Sequence, residues 1–101
     1  IQLEYADKAI KYDVNNAYFY SHKGHILSKL KRYDEAFNFQ LNAIRLNVSE
    51  SLFYKRLADI YGLKGIITFA KVIYKQAIHL NRNKEDYYYH SFGELSYKNK
   101  E

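Results

Sequence analysis

"YDEAFNFQLNAIRLN", residues 33–47, and "FAKVIYKQAIHLN", residues 69–81, share one frame: an alanine, an Ala-Ile pair seven positions on, then a leucine and an asparagine at equal offsets. Outward from these stretches the frame continues. Ala9, Ala43 and Ala77 are evenly spaced, as are Ile10, Ile44 and Ile78. The same offset joins Phe19 to Phe53, Tyr20 to Tyr54, Ile26 to Ile60, Ala36 to Ala70, Leu46 to Leu80 and Asn47 to Asn81. A fixed period of this size marks a stack of supersecondary units, each too small to bury its own apolar face.

Zero proline, four glycines and no strand-like alternation point to helices joined by short turns. Leu3, Ala6 and Ile10 mark a first apolar stripe, ending at "DVNN", residues 13–16. Phe19, Ile26, Leu27 and Leu30 mark a second, broken near Lys31 and Arg32. The third runs from Tyr33 to Asn47 on Phe37, Leu41, Ile44 and Leu46. Ser49 offers an N-cap to a fourth, on Phe53, Leu57, Ile60 and Tyr61, which stops where Gly62 and Gly65 supply a C-cap and tight turn. Ile67, Ala70, Ile73, Tyr74 and Ile78 carry the fifth. Asn83 offers an N-cap to a sixth on Tyr88, Phe92 and Leu95. The pattern predicts an all-α chain of about six helices in antiparallel hairpins.

With 48% apolar and 18% aromatic residues in 101, the chain has a globular composition and one modest core. Zero cysteine excludes disulfides, thiolate zinc sites and thiol catalysis, and suits a reducing or an oxidising compartment equally. No apolar run approaches the roughly 20 residues of a membrane span, so the expectation is no membrane insertion and a soluble compartment such as the cytoplasm. No methionine occurs, even at position 1, and a helix is already under way at "IQLEYADKAIKY"; the chain is expected to be a fragment of a longer protein. The net charge of +5 raises nucleic acid or acidic partners. Yet twelve of the sixteen basic residues are lysine, beside many Asn, Ile and Tyr, as an AT-biased coding sequence produces. Much of the basicity is therefore read as solvated surface.

The period and residue types resemble the tetratricopeptide repeat, whose aromatic, Leu-Gly and Tyr in a first helix and Ala then Phe or Tyr in a second stand here as Tyr54, Leu57, Ala58 and Tyr61, then Ala70 and Tyr74. The other full repeat gives Tyr20, Lys23, Gly24 and Leu27, then Ala36 and Gln40. The resemblance covers nearly the whole chain: half a repeat (1–16), two repeats (17–50 and 51–84) and a last first-helix (85–101). Val14, Val48 and Arg82 replace the closing proline, Lys23 stands where leucine is usual, and "YYYHSFGELS" fits with one extra residue before Tyr89. The resemblance implies a right-handed α-solenoid of antiparallel helix pairs, with Ala9, Ala36, Ala43, Ala70 and Ala77 buried where helices cross closely.

It also implies a non-catalytic protein-interaction scaffold whose first helices line a concave groove. The groove residues are then Tyr18, Ser21, His22, His25 and Lys29, followed by Leu52, Lys55, Arg56, Asp59 and Leu63, with His90 and Glu94 beyond. The clamp with which some members hold a C-terminal carboxylate is not matched: Ser21 and His25, then Arg56, then Asp86 and His90 occupy its places, and a start one repeat later gives Lys55 but Asp59.

The residues themselves ask for no catalysis and no cofactor. His22 and His25 share a helical face, but two ligands seldom hold a metal, and none is expected. Ser21 beside His22 is sequence adjacency, not a catalytic pair. Gly62 and Gly65 lack a phosphate-loop context. "YYY", residues 87–89, is read as covering the apolar edge of the last repeat. Adjacent Lys55 and Arg56, which the resemblance turns toward the groove with two histidines, favour a protein or peptide partner rich in Asp or Glu, or a free C-terminus. The rival readings are a nucleic-acid-binding helical repeat, disfavoured because the lysines scatter over both helices of each pair, and an accessory repeat domain of a larger enzyme. Apolar residues around Leu3, Tyr5 and Ile10 give the expectation of self-association through exposed repeat ends.

Overall fold

The period of the sequence is also a period of the backbone. In the computed structural model, which describes residues 2–100, the elements are α1 (Gln2–Tyr12), α2 (Ala17–Lys29), α3 (Tyr33–Leu46), α4 (Ser51–Leu63), α5 (Ile67–Leu80), a 3-10 turn (Arg82–Lys84) and α6 (Glu85–Lys100). Both ends of α4 lie one full period after those of α2, and both ends of α5 lie one full period after those of α3. Ile1 and Glu101, the ends of the first and last sequence segments, fall outside the described residues. The architecture is an all-α helical repeat, its helices packed in adjacent pairs.

The connections repeat as faithfully as the helices. Asn16 and Glu50, each extended, accept the amide of the residue two ahead, at 3.0 and 3.3 Å, to start α2 and α4. At the other end of these helices the amides of Arg32 and Ile66 reach back to the Leu27 and Tyr61 carbonyls, both at 2.9 Å, a six-to-one closure that satisfies otherwise orphaned acceptors. Asn47 and Asn81 end α3 and α5 with nearly equal torsions, φ −148 and −150, ψ 90 and 88.

Several local expectations shift. Ser49 is not the cap of α4, because Glu50 is extended and its carboxylate receives Leu52 N–H. Asn83 does not cap α6 either. It sits inside the 3-10 turn and donates its amide to Asn81 Oδ1 at 3.2 Å, so α6 begins at Glu85. Gly62 lies within α4 and is buried, while Gly65 alone takes the turn, at φ 84. Leu30, Leu41 and Leu46, assigned to apolar stripes, are more than a third exposed. On α3 the inward face belongs instead to Ala36, Gln40 and Ala43.

The chain divides into two compact units, Ile1–Val48 and Ser49–Glu101. In the first, α2 pairs with α3 and α1 packs on α2. Small residues set the approach: Ala36 and Ala43 are fully buried, and a Cβ added at Gly24 would stand 2.7 Å from Gln40 Nε2 and 3.1 Å from the Ala36 carbonyl. Ala9, by contrast, is only half-buried. It corresponds to Ala43 by position, but α1 packs on a single helix of its unit and so closes one of its two flanks. In the second unit α4, α5 and α6 all pack on one another. Ala58, Ala70, Tyr74, Ala77, Ile78 and Tyr88 form the core, flanked by Tyr54, Tyr61, Ile73, Phe92 and Leu95.

The register of α6 follows from burial. Phe53, Leu57 and Ile60 on α4 are buried, and the same 4-3 spacing on α6 falls on Tyr88, Phe92 and Leu95, one position beyond a full period. The helix itself starts at Glu85, one full period after the start of α4. Tyr88 hydroxyl and Ser51 Oγ lie 3.0 Å apart and pin α6 to the start of α4.

Candidate functional site

Each unit presents one face of its first helices, and the two faces differ in chemistry. On α2, Tyr18, His22 and Lys29 are exposed and His25 is half-buried. Ser21, assigned to the same face, is instead fully buried: its hydroxyl donates to Gln40 Oε1 at 2.7 Å, and Gln40 Nε2 returns a bond to the Ser21 carbonyl at 2.9 Å. The buried glutamine needs both bonds, since an unmet amide in the core is costly. Its demand draws Ser21 inward.

His22, His25 and Lys29 come together along an open cleft of about 300 Å³ between α1 and α2, whose other walls are Gln2, Tyr5 and Ile26. Lys23, between the two histidines in sequence, points elsewhere: its ammonium pairs with Asp7 on α1 and lies 4.6 Å from the centroid of the Phe39 ring. At the place where a leucine is usual in the resembling family, the lysine stem covers an aromatic while its head bonds the neighbouring helix.

On α4 the charges are tied together. Lys55 Nζ lies 2.8 Å from Asp59 Oδ2, one turn on, and 5.0 Å from the centroid of the Tyr87 ring on α6. The other oxygen of Asp59 accepts the hydroxyl of Tyr74, which reaches it from α5 and is itself buried. Three helices thus meet around one carboxylate. Burial acts to lower the Lys55 pKa, but the charge of Asp59 and hydrogen bonds to Asp59 and Tyr87 outweigh it, and the ammonium is held above its ordinary range. Burial lowers Arg56, with Asp59 and Tyr87 opposing. Burial raises the Tyr74 phenol far above its ordinary value, and the adjacent Asp59 charge adds to the effect.

Leu52 is half-buried and Leu63 exposed at the two ends of the α4 face. His90 and Glu94 pair with each other at 2.9 Å on the exposed surface of α6. Of the tyrosine run, Tyr88 covers the apolar edge as expected, whereas Tyr87 and Tyr89 are about half exposed. Sequence reasoning missed Tyr74 and Tyr87 as parts of the Lys55 and Asp59 cluster. The available signal was the step of one period from Gln40 to Tyr74: both are polar groups at a buried position, and each must find a partner on its own first helix.

Among the described residues no three His, Cys, Asp or Glu side chains converge to hold a metal ion, and no helix is long and apolar enough to cross a membrane. Neither any protein-family model nor any curated protein matches the chain.

Proposed function

We propose that the chain is a tetratricopeptide-type interaction module that binds an extended peptide or protein segment along the faces of its first helices. The observation that carries this reading is the backbone repeat itself: helix bounds, caps and turn torsions recur at the period of the sequence, and at each recurrence a first helix turns polar and aromatic side chains outward. Repeats of this kind stack into extended concave surfaces suited to peptide ligands. Tyr18 and Leu52 supply apolar anchors. Lys29 supplies positive charge on α2, beside His22 and His25, while on α4 the Lys55 charge is largely met by Asp59. A ligand of the first unit is therefore expected to place Asp or Glu side chains against α2.

Photo-crosslinking tests this. A benzoylphenylalanine placed at Tyr18 or at Leu52 should capture a partner segment, and placement at Asn38 on α3 or Lys71 on α5 should not. The captured segment, purified as a peptide, should bind more weakly to Lys29→Glu and show a strong dependence on ionic strength. Capture only from α3 and α5 would place the ligand on the opposite helices and end this reading.

A further inference from the structure

Leu63, Ile66, Phe69 and Val72 stand one full period after Lys29, Arg32, Glu35 and Asn38, and all eight are exposed. In the first repeat this row is polar, and Arg32 and Glu35 join in a two-pronged ion pair at 2.9 and 2.8 Å. In the second repeat it is apolar: Phe69 is 59% exposed and Val72 58%. The exchange is mutual, since Leu30, Phe37 and Leu41 give way to Lys64, Lys71 and Lys75, each of them exposed. The fold therefore asks for no apolar group on this row. Nor do Phe69 and Val72 await a further repeat, because α3 is followed by one and still exposes Glu35 and Asn38 at the same places. The inner side of α5 packs on α4 and α6 through Ala70, Tyr74, Ala77 and Ile78.

The lysines scatter over the chain, but its net charge does not. Residues 60–84 hold Lys64, Lys71, Lys75, Arg82 and Lys84 and no Asp or Glu. The other Lys and Arg of the chain equal its Asp and Glu in number, so the net charge of +5 is the charge of this segment. Arg82 and Lys84 adjoin Glu85 and Asp86 at the start of α6, which leaves Lys64, Lys71 and Lys75 as the cations beside the apolar row. Phe69 and Val72 lie one turn apart on α5, and Lys71 and Lys75 lie one turn apart on the adjoining flank.

We propose that this face of α5 rests on an anionic lipid surface. Ile66, Phe69 and Val72 enter the boundary between headgroups and acyl chains, and Lys64, Lys71 and Lys75 reach the headgroups. The lysine stems lie along the apolar row while the ammonium groups stay among the anions. The attachment is peripheral, since among the described residues no helix is long and apolar enough to cross a membrane. Both halves of the surface are met at once, and a fluid layer of headgroups brings an anion to each lysine wherever it stands. A second copy of the chain would set lysine against lysine across the contact. A nucleic acid would meet the lysines through its phosphates and leave Ile66 and Val72 in water. This inference uses α5 and not the faces of the first helices, so it stands apart from the peptide reading.

Co-sedimentation with vesicles tests it. The chain should bind vesicles of phosphatidylcholine with roughly a third phosphatidylserine and not vesicles of phosphatidylcholine alone, and binding should weaken as salt rises. Each lysine near such a surface contributes about fivefold to binding, so Lys71→Glu with Lys75→Glu should weaken it by about twentyfold or more. Phe69→Glu with Val72→Asn brings in the side chains that α3 carries at these positions, so helix content by circular dichroism should hold, while binding should fall by about tenfold or more. The chain has no tryptophan, so Phe69→Trp adds a lone reporter whose emission should shift to the blue when anionic vesicles are added. Equal binding to neutral and anionic vesicles overturns the proposal. Binding to neither overturns it as well and leaves the face to an acidic protein partner. Undiminished binding by the Phe69→Glu, Val72→Asn chain, or an emission that does not move, also overturns it, because the contact would then be charge alone.

Discussion

Lys31 and Gly65 hold the same place in successive repeats, and both occupy left-handed backbone, φ 64 and 84, at the turn between a first helix and its second. The turn demands this torsion for its six-to-one closure, and the two repeats meet the demand differently. Glycine enters the region freely, whereas lysine brings a Cβ toward the following carbonyl, at roughly 1–2 kcal/mol. Glycine also has more unfolded freedom to lose, which offsets part of that relief. Lys31→Gly should therefore stabilise the chain by about 0.5–1 kcal/mol, and Gly65→Ala should destabilise it by about 1 kcal/mol. Chemical denaturation of both variants checks the pair; a loss of stability in Lys31→Gly would contradict the strain at that turn.

The close approach at Gly24 gives a second expectation. An alanine there would put its Cβ 3.1 Å from the Ala36 carbonyl, a backbone atom that moves only with its helix, and against the Gln40 amide that bonds the Ser21 carbonyl. Gly24→Ala should cost about 1–3 kcal/mol despite the better helix propensity of alanine. Gly62→Ala meets only the side chain of Leu95, which can turn away, and should cost less. Thermal melts of the two single variants should rank them in that order.

How much of this was legible follows from what each feature depends on. The period, the helix count and the buried alanines Ala36, Ala43, Ala70 and Ala77 were readable because apolar and small residues recur at fixed offsets, and burial follows from spacing. The caps were not. Ser49 and Asn83 have capping side chains, but Glu50 and Asn81 have the extended backbone a cap requires, and side-chain type does not report backbone torsion. On the candidate surface, Tyr18, His22 and Lys29, placed outward by the family resemblance, are exposed. The tie between Lys55, Asp59, Tyr74 and Tyr87 was not legible, because it joins three helices.

Ser21 and Gln40 form a closed pair of hydrogen bonds in the first unit, and their energies should be strongly non-additive. Ser21→Ala removes the donor to Gln40 Oε1 in a fully buried setting, which should cost about 1–3 kcal/mol. Gln40→Leu removes the other partner and keeps the volume apolar. With both changes the buried polar demand largely disappears, so the double variant should be less destabilised than the sum of the singles by about 1 kcal/mol or more. A double-mutant cycle by urea denaturation reads this directly, and simple additivity would mean that the pair is not coupled.

Tyr74 and Asp59 make the second unit sensitive to alkaline pH. The folded state holds the Tyr74 phenol far above its ordinary pKa through burial and the neighbouring carboxylate, while the unfolded phenol titrates near about 10. A folded pKa raised above the unfolded one means that the stabilisation is fully present below about pH 10 and falls as pH rises beyond it, because the unfolded chain releases that proton first. Lys55, also held high, acts in the same direction from about pH 10.4. Tyr74→Phe removes the phenol and its bond to Asp59, at about 1–2 kcal/mol near neutral pH, but leaves Lys55 in place. The variant should therefore be less stable than the wild type at neutral pH, and the gap should narrow between about pH 10 and 11 without the residual alkaline loss disappearing. Urea denaturation of both proteins across that range measures it, and a gap that stays constant would show that the Tyr74 proton is not coupled to folding.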